Sequence, residues 1–359
     1  MVKKIVDLPN CKLSVSAEHS LDHVIGYGSR INNKRSYLFI SKVLGKHIPV
    51  TPKKLISSHK KLSKLINPVI YNDTILVIGL AETATGLGWG VFNQLKVKSK
   101  LYIHTSRVQL KHPLFVEFEE PHSHAVEQYL YYPKSKKFNP RKINHIIIVD
   151  DELTTGNTIK NLITKLSERF LNTKFSVLTL VNWKNYKKDF KIYALYEGFF
   201  SVKEKSTSVK KDHLTVSPQK KHSFRNELGN NFGRLGSTSF PSLPKRVITM
   251  LKSFKRKKIL LLGTGEFMHY PLSASSFIHE NNSVKIQSTT RSPVQVVGDI
   301  HSKLIFKDNY YPNICNYLYN VIDKKYDIVI IFYEAKSPFD HLLIDQLSEK
   351  FDTVIPVYL

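Results

Sequence analysis

Short apolar runs rich in β-branched residues alternate with amphipathic segments along the first half of the chain. These runs are too short for buried helices and are typical of buried strands. Between the first two runs, Leu55, Leu62, Leu65 and Ile66 share one helical face opposite lysines, which predicts an amphipathic helix. Strands separated by helices predict an α/β fold with a doubly wound, mostly parallel sheet. The predicted strands are Tyr37–Ile40, Thr74–Leu80, Lys100–Thr105, His145–Val149 and Phe175–Val181.

The same alternation returns near the C-terminus, after a polar stretch rich in Gly, Ser, Asn and Pro that predicts a loop-rich connector. A predicted helix over Lys245–Lys255 leads into strands at KILLLGTGEF, DIVIIFYEA and TVIPVYL. A second helix, around His341–Phe351, separates the last two. We therefore predict a first α/β domain over residues 1–195, a connector over 196–244, and a smaller, Rossmann-like α/β domain over 245–359.

Composition is that of an ordinary folded chain. The 359 residues are 42% hydrophobic, enough to build two α/β cores and to argue against wholesale disorder. No apolar run approaches the ~20 residues of a membrane-spanning helix, and the N-terminus lacks the apolar stretch of a secretory signal. Cys11 and Cys315 lie far apart and have no metal-ligand spacing. We expect a reduced, cytoplasmic protein without a membrane partner.

The formal net charge of +25 has three explanations. Lysine on solvated faces can reflect a compositional bias, the charge can attract an anionic small substrate, or it can bind nucleic acid. No recognition helix or aromatic stacking motif accompanies the charge, so nucleic acid is the least favoured of the three. Charge alone does not decide among them.

The most informative stretch is HIIIVDDELTTGNT at residues 145–158. A buried parallel strand delivers Asp150 and Asp151 to the carboxyl edge of the sheet, where open α/β folds bind ligands. Backbone N–H groups of the following turn and helix N-terminus can hold a phosphate, and the two carboxylates can accept hydrogen bonds from sugar hydroxyls. The pattern predicts a ribose-5-phosphate site; the alternative is an acidic turn that only caps a helix. The turn residues are Thr154, Thr155, Gly156, Asn157 and Thr158.

A second strand-turn-helix of this design follows residue 74 and passes through Ala81, Glu82 and Thr83. Two such cradles in one domain suit a ligand with a phosphate group at each end. Glu82 would repel a phosphate group unless Mg²⁺ lay between them, so Glu82 is a candidate ligand for this oxygen-preferring cation. The alternative is a small-residue turn required for close helix packing.

Residues 145–158 resemble the motif that binds 5-phosphoribosyl-1-pyrophosphate (PRPP) in type I phosphoribosyltransferases. The match lies at Asp150, Asp151, Thr155, Gly156 and Thr158. Most of the chain is similar to the phosphoribosyltransferases of tellurite-resistance-type bacterial stress operons. The resemblance is weakest in the connector. The stretches that carry this narrower resemblance are Asn33–Val50, Gly79–Val91, Phe118–Leu130 and the Thr-Arg-Ser-Pro signature at Thr290–Pro293.

The resemblance implies an enzyme that uses PRPP, with Mg²⁺ bound mainly through PRPP, to make or cleave a base–ribose 5-phosphate. It places the pyrophosphate at Ala81–Thr83, the 5-phosphate at Thr154–Thr158 and the ribose hydroxyls on Asp150 and Asp151. The implied product is a nucleoside-like metabolite of a stress pathway, with operon-encoded enzymes as partners and a homodimer as the usual assembly. A non-catalytic PRPP or nucleotide sensor on the same fold is the alternative. The acceptor base is not specified by any motif.

The segment from Lys100 to Pro133, which lies between two predicted strands, is long for a loop. Type I enzymes carry a mobile lid at this place, which closes over the reacting centre and excludes water. In such a lid, Glu120, His122 and His124 are the candidate catalytic groups for a proton on the base. Arg107 could offset charge on the departing pyrophosphate. The alternatives are an ordinary surface loop and a metal site around the His-x-His pair.

Two further segments carry candidate ligand contacts. Near the N-terminus, Arg35, Lys42 and Lys46 could face an anionic ligand from a hood over the base, or could be surface cations. In the C-terminal domain, hydroxyl residues surround Arg291, which could grip a phosphate or carboxylate. Alternatively, Arg291 pairs with a nearby acid such as Asp299.

Overall fold

The computed structural model describes residues 1–31, 35–119, 127–136, 138–184, 190–205, 233–239, 242–311 and 313–359. They form two α/β units that pack against each other. The strands of the first unit are β1 (Val2–Asp7), β2 (Cys11–Ala17), β3 (Ile25–Ser29), β4 (Tyr37–Ser41), β5 (Thr74–Gly79), β6 (Ser99–His104), β7 (Leu114–Glu119), β8 (Glu127–Tyr131), β9 (His145–Leu153), β10 (Lys174–Asn182) and β11 (Lys191–Glu204). Its helices are α1 (Pro52–Ile66), α2 (Ala84–Gln94) and α3 (Asn157–Ser167), with a 3-10 turn at Asn67–Val69.

The central sheet of this unit has the strand order β1-β2-β11-β10-β9-β5-β6. From β11 to β6 all neighbours are parallel, whereas β1 and β2 add an antiparallel edge. The prediction of a mostly parallel sheet is therefore confirmed, with a mixed edge that it did not include. The predicted strand Tyr37–Ile40 forms as β4, but it pairs only with β3, outside this sheet.

The chain leaves the middle of the sheet in two directions. One crossover runs from β5 through α2 to β6, and the other runs from β9 through α3 to β10. Since parallel crossovers are right-handed, opposite directions place α2 and α3 on opposite faces of the sheet. The boundary between β5 and β9 is a topological switch point, where a crevice opens at the carboxyl ends of the strands.

Helix α2 lies unusually close to strand β5. A Cβ atom on Gly88 would lie 2.8 Å from the Cα of Gly79, which is nearer than such atoms approach. The small residues at this point therefore allow the helix to pack closely on the strand, as one of the two interpretations of this turn predicted. They bring the N-terminus of α2 down onto the end of the strand.

The second unit contains β12 (Lys258–Gly263), β13 (Ser283–Ser288), β14 (Lys303–Lys307), β15 (Cys315–Tyr319), β16 (Ile328–Tyr333) and β17 (Val354–Tyr358). Its helices are α4 (Lys245–Ser253), α5 (His269–Ser275) and α6 (His341–Ser348). Strands β13-β12-β16-β17 form a parallel four-stranded sheet, and β14 pairs antiparallel with β15. Among the described helices of both units, none is long and apolar enough to cross a membrane.

Backbone hydrogen bonds join the two units. Val50 and Ile286 exchange a pair of N–H···O bonds of 3.0 and 2.7 Å, and Ser237 does the same with Tyr102 along the free edge of β6. The segment 233–239 thus extends the first sheet although it lies in the predicted connector. Strand β11 also continues past the predicted domain boundary at residue 195, to Glu204.

Candidate functional site

A cleft opens at the switch point, between the carboxyl ends of β5 and β9 and the second unit. Nearly all of the sequence-predicted site residues that the structure describes line it. They are Ala81, Glu82, Thr83, Arg107, Asp150, Asp151, Thr154, Thr155, Gly156, Thr158 and Arg291. Asn157, the exposed first residue of α3, is not among the lining residues. Glu120, His122 and His124 lie outside the described residues.

Strand β9 delivers the acidic pair and the turn after it. The strand extends to Leu153, so Asp150 and Asp151 lie within its last four residues. The Asp151 N–H donates to Asp150 Oδ1 at 2.9 Å. Gly156 then adopts φ +73°, a left-handed conformation that glycine takes without a steric penalty. That turn starts α3 at the cleft, where its first N–H groups have no helical partner. The local geometry is that of an anion cradle beside two carboxylates.

The loop after β5 is fixed by side chains from two other strand ends. Ala81 N–H donates to Thr105 Oγ1 at 2.8 Å, and Gln128 Nε2 donates to the Ala81 carbonyl at 2.8 Å. Thr105 Oγ1 in turn donates to Gln128 Oε1 at 2.6 Å. The following peptide bond, Ala81–Glu82, is cis. The hydrogen bonds from Thr105 and Gln128 hold this loop on one side, and its other side lines the cleft.

Glu82 is the centre of a buried charge cluster. Its carboxylate lies 2.5 Å from Lys46 Nζ and 3.7 Å from Arg107 Nη1. Burial favours the neutral acid, but these two cations lower the pKa of Glu82 to about 2. A carboxylate already neutralised by two cations is a poor partner for Mg²⁺. The arrangement favours a different role, in which Glu82 holds Lys46 and Arg107 at the Ala81–Thr83 end of the cleft.

The second unit supplies one wall of the cleft through the Thr-Arg-Ser-Pro loop. Thr290, Arg291 and Ser292 all line it, and Lys46 Nζ donates to the Gly265 carbonyl of the second unit at 2.8 Å. Arg291 does pair with an acid, as one alternative held, but the partner is Asp308 (Nε to Oδ2, 2.9 Å). The suggested Asp299 instead pairs with Lys42 at 2.8 Å, which removes Lys42 from the cleft.

The hood formed by β3, β4 and the following loop closes the opposite side. Arg35 and Lys46 face the cleft, as one interpretation of the sequence held. Phe39 also lines the cleft, is 3% exposed, and stacks on Trp183 with ring centroids 4.2 Å apart. His47 also lines the cleft, and burial lowers its pKa to about 3, so the ring is neutral near pH 7.

Sequence reasoning missed several lining residues, chiefly Gln128, Glu152 and His47. A weak signal existed for two of them. Gln128 follows Glu127 at the start of β8, before the apolar and aromatic residues of that strand, and Glu152 adds a third carboxylate directly after the acidic pair of β9. Polar residues buried in strands require hydrogen-bond partners, so each could have been flagged as a site residue. His47 offered no such signal.

Comparison with protein families and solved structures places the chain. A phosphoribosyl transferase family model matches residues 24–203, half of the 359 residues, and a model for the TRSP domain found C-terminal to that family matches residues 234–347. The comparison with curated proteins gives no match. The chain is also similar to solved phosphoribosyltransferase structures, at identities and TM-scores too low to carry an argument.

Two of these structures illustrate the likeness. APRTase from Giardia lamblia, complexed with 9-deazaadenine, is 18% identical over 49% of this chain and 94% of its own, with a TM-score of 0.35. A hypoxanthine-guanine phosphoribosyltransferase from Bacillus anthracis is 15% identical over 42% of this chain and 82% of its own, with a TM-score of 0.28. The family model, the mostly parallel sheet and the two loops at its switch point agree: the chain belongs to the phosphoribosyl transferase family and carries a C-terminal TRSP domain.

Proposed function

We propose that the cleft binds PRPP and transfers its phosphoribosyl group to a base-like nucleophile, releasing pyrophosphate. One observation carries the proposal: two anion-binding loops leave neighbouring parallel strands and face the same cleft, with Asp150 and Asp151 between them. A ligand with phosphate at one end, a diol in the middle and diphosphate at the other end matches this order. Family membership supports the same assignment.

In the proposed reaction, the bond from ribose C1 to the pyrophosphate oxygen breaks and a bond from C1 to a ring nitrogen of the acceptor forms. Asp150 and Asp151 accept hydrogen bonds from the ribose hydroxyls, while Thr154–Thr158 hold the 5-phosphate. The loop at Ala81–Thr83 binds the pyrophosphate through the N–H groups that follow Ala81, since the Ala81 N–H already donates to Thr105 Oγ1. Lys46 and Arg107, held by Glu82, balance the charge that develops on it. The chain's contribution is positioning and electrostatic stabilisation.

The described residues fit a magnesium ion that arrives with PRPP. They contain no cluster of three or more His, Cys, Asp or Glu side chains that could hold a metal by itself. Mg²⁺ commonly uses one or two carboxylates and substrate phosphates, and Asp150 and Asp151 are carboxylates in the cleft that could contribute to holding it. When bound, the ion would neutralise the leaving pyrophosphate.

Several finer points belong to the same proposal. Glu120, His122 and His124 stay the predicted proton-transfer groups of a lid, of which the structure describes the flanking hairpin β7–β8. The parallel sheet of the second unit supports a Rossmann-like domain whose Thr-Arg-Ser-Pro loop completes the cleft. We place the enzyme in the cytoplasm, in a stress-response pathway with operon-encoded partner enzymes. It makes or cleaves a nucleoside-like metabolite there, as a homodimer.

The proposal is tested by pyrophosphate formation. Purified protein, PRPP and Mg²⁺ are expected to release pyrophosphate faster when a suitable free base is added, since the acceptor captures the ribosyl group. The measurement is a coupled pyrophosphate assay over a panel of purine, pyrimidine and pyridine bases. A protein that binds PRPP but accelerates pyrophosphate release with none of them would instead support the sensor alternative.

A further inference from the structure

The acceptor end of the cleft can be located by elimination, given the proposed function. The loop at Ala81–Thr83 and the turn at Thr154–Thr158 take the two phosphate ends of PRPP. The remaining wall comes from the hood and from the end of β9, and it is lined by Leu38, Phe39 and Glu152. Phe39 is 3% exposed and stacks on Trp183, so it gives this wall an apolar lining beside Glu152. The acceptor therefore lies against this wall.

Glu152 and Arg35 form an ion pair in this wall. Arg35 Nη2 lies 2.8 Å from Glu152 Oε1, and each side chain is 15% exposed. The Arg35 guanidinium also lies over the Tyr37 ring, 4.5 Å from its centroid, which fixes its plane. Both charges are thus held at fixed positions, and Glu152 directly follows the predicted ribose contact at Asp151 in β9.

One polar atom of each side chain takes no part in this ion pair. Within the part of the chain that the structure describes, the buried atoms Glu152 Oε2 and Arg35 Nε have no hydrogen-bond partner. Buried polar atoms without partners are costly and are normally satisfied in the functional state. One of the two is an acceptor and the other a donor. A single ligand group that pairs with both atoms would present an N–H together with a lone pair.

We propose that Arg35 and Glu152 select the acceptor, and that they recognise a planar heterocycle with an N–H donor beside a hydrogen-bond acceptor, as in an amidine or carboxamide edge. The N–H donates to Glu152 Oε2 and the neighbouring nitrogen or oxygen accepts from Arg35 Nε. An acceptor with a carboxylate at this position is excluded, because it places a second negative charge against Glu152. The assignment rests on the proposed function and adds the class of acceptor to it.

The test compares two probes of nearly the same shape, nicotinamide and nicotinate, which differ by a carboxamide and a carboxylate. Adenine, with an amidine edge, is the third probe. Each is titrated by equilibrium dialysis into protein saturated with ribose 5-phosphate and pyrophosphate, which fill the two phosphate cradles without reacting. The variants are Glu152→Gln and a matched control, Glu168→Gln, which removes a negative charge from the exposed C-terminal end of α3.

We expect wild type and Glu168→Gln to bind nicotinamide at least tenfold more tightly than nicotinate, and to bind adenine. In Glu152→Gln the preference for nicotinamide should fall below threefold. The assignment would be overturned if wild type preferred nicotinate, or if it bound neither nicotinamide nor adenine. An unchanged preference in Glu152→Gln would also overturn it, because the ion pair would then be purely structural. PRPP calorimetry on the same wild-type sample separates the two levels: lost PRPP binding contradicts the proposed function, whereas a wrong base preference with intact PRPP binding contradicts only the acceptor class.

Discussion

Asp151→Asn is expected to reduce PRPP-dependent pyrophosphate formation by about tenfold to a hundredfold. The asparagine keeps the shape of the side chain but loses the charge that strengthens a hydrogen bond from a ribose hydroxyl. Such bonds to a charged group contribute about 1.5–3 kcal/mol, and about 1.4 kcal/mol corresponds to tenfold in rate. Asp151 lies half-buried at the cleft, so the free energy of unfolding should change little. Steady-state rates of pyrophosphate release measure the effect.

The matched control for this substitution is Asp352→Asn, which makes the same chemical change at an exposed position near the C-terminus. It should leave the rate and the stability at wild-type values. Unchanged kinetics in Asp151→Asn, or equal losses in both variants, would show that Asp151 does not act on the ribose.

Arg234→Ala is expected to cause the largest loss of stability. The Arg234 guanidinium is buried between the two units, where Nη2 lies 2.7 Å from Glu266 Oε2, Nη1 pairs with Glu334, and Nε lies 3.0 Å from Ser106 Oγ. Burial opposes ionisation of Glu266, yet Arg234 lowers its pKa, whereas burial prevails at Glu334 and raises its pKa. Removing the arginine leaves two buried carboxyl groups uncompensated, which should reduce the free energy of unfolding by about 3–5 kcal/mol.

Urea denaturation measures this loss, with Arg246→Ala on the exposed side of α4 as the control. The control should change the free energy of unfolding by less than about 0.5 kcal/mol. Arg234→Lys keeps the charge but cannot reach both carboxylates with a planar fork, so its stability should fall between wild type and Arg234→Ala. A loss below about 1 kcal/mol in Arg234→Ala would contradict the assigned role in joining the two units.

The parallel strands and both loops of the site could be predicted because their signals are local. In residues 145–158, one continuous segment contains the apolar strand, the acidic pair, the glycine turn and the helix start. Topological rules then bring the carboxyl ends of parallel strands together without knowledge of side-chain packing. The same local reasoning could have found β2, whose sequence CKLSVSA alternates buried and exposed positions.

The charge clusters could not be predicted in this way, because their members come from distant parts of the chain. Glu82 receives Lys46 from the hood and Arg107 from the loop after β6, so the sequence around Glu82 carries no sign of either. The partner of Arg291 was likewise misplaced, since Asp299 and Asp308 are both near in sequence and only packing chooses Asp308. Strand β11 continues past the predicted boundary at residue 195 because its second half pairs with β2. This pairing was not predicted from the sequence, since β2 lies far away in the chain.

Isothermal titration of PRPP into the full-length protein, with and without Mg²⁺, tests the central claim most directly. The comparison is with the double variant Asp150→Asn/Asp151→Asn, shown to be folded by circular dichroism. We predict micromolar binding that requires Mg²⁺ and weakens at least a hundredfold in the double variant, because both diol contacts lose the carboxylate charge that strengthens them. Absence of binding by folded wild-type protein, or equal affinity in the two proteins, would contradict the assignment of this cleft to PRPP.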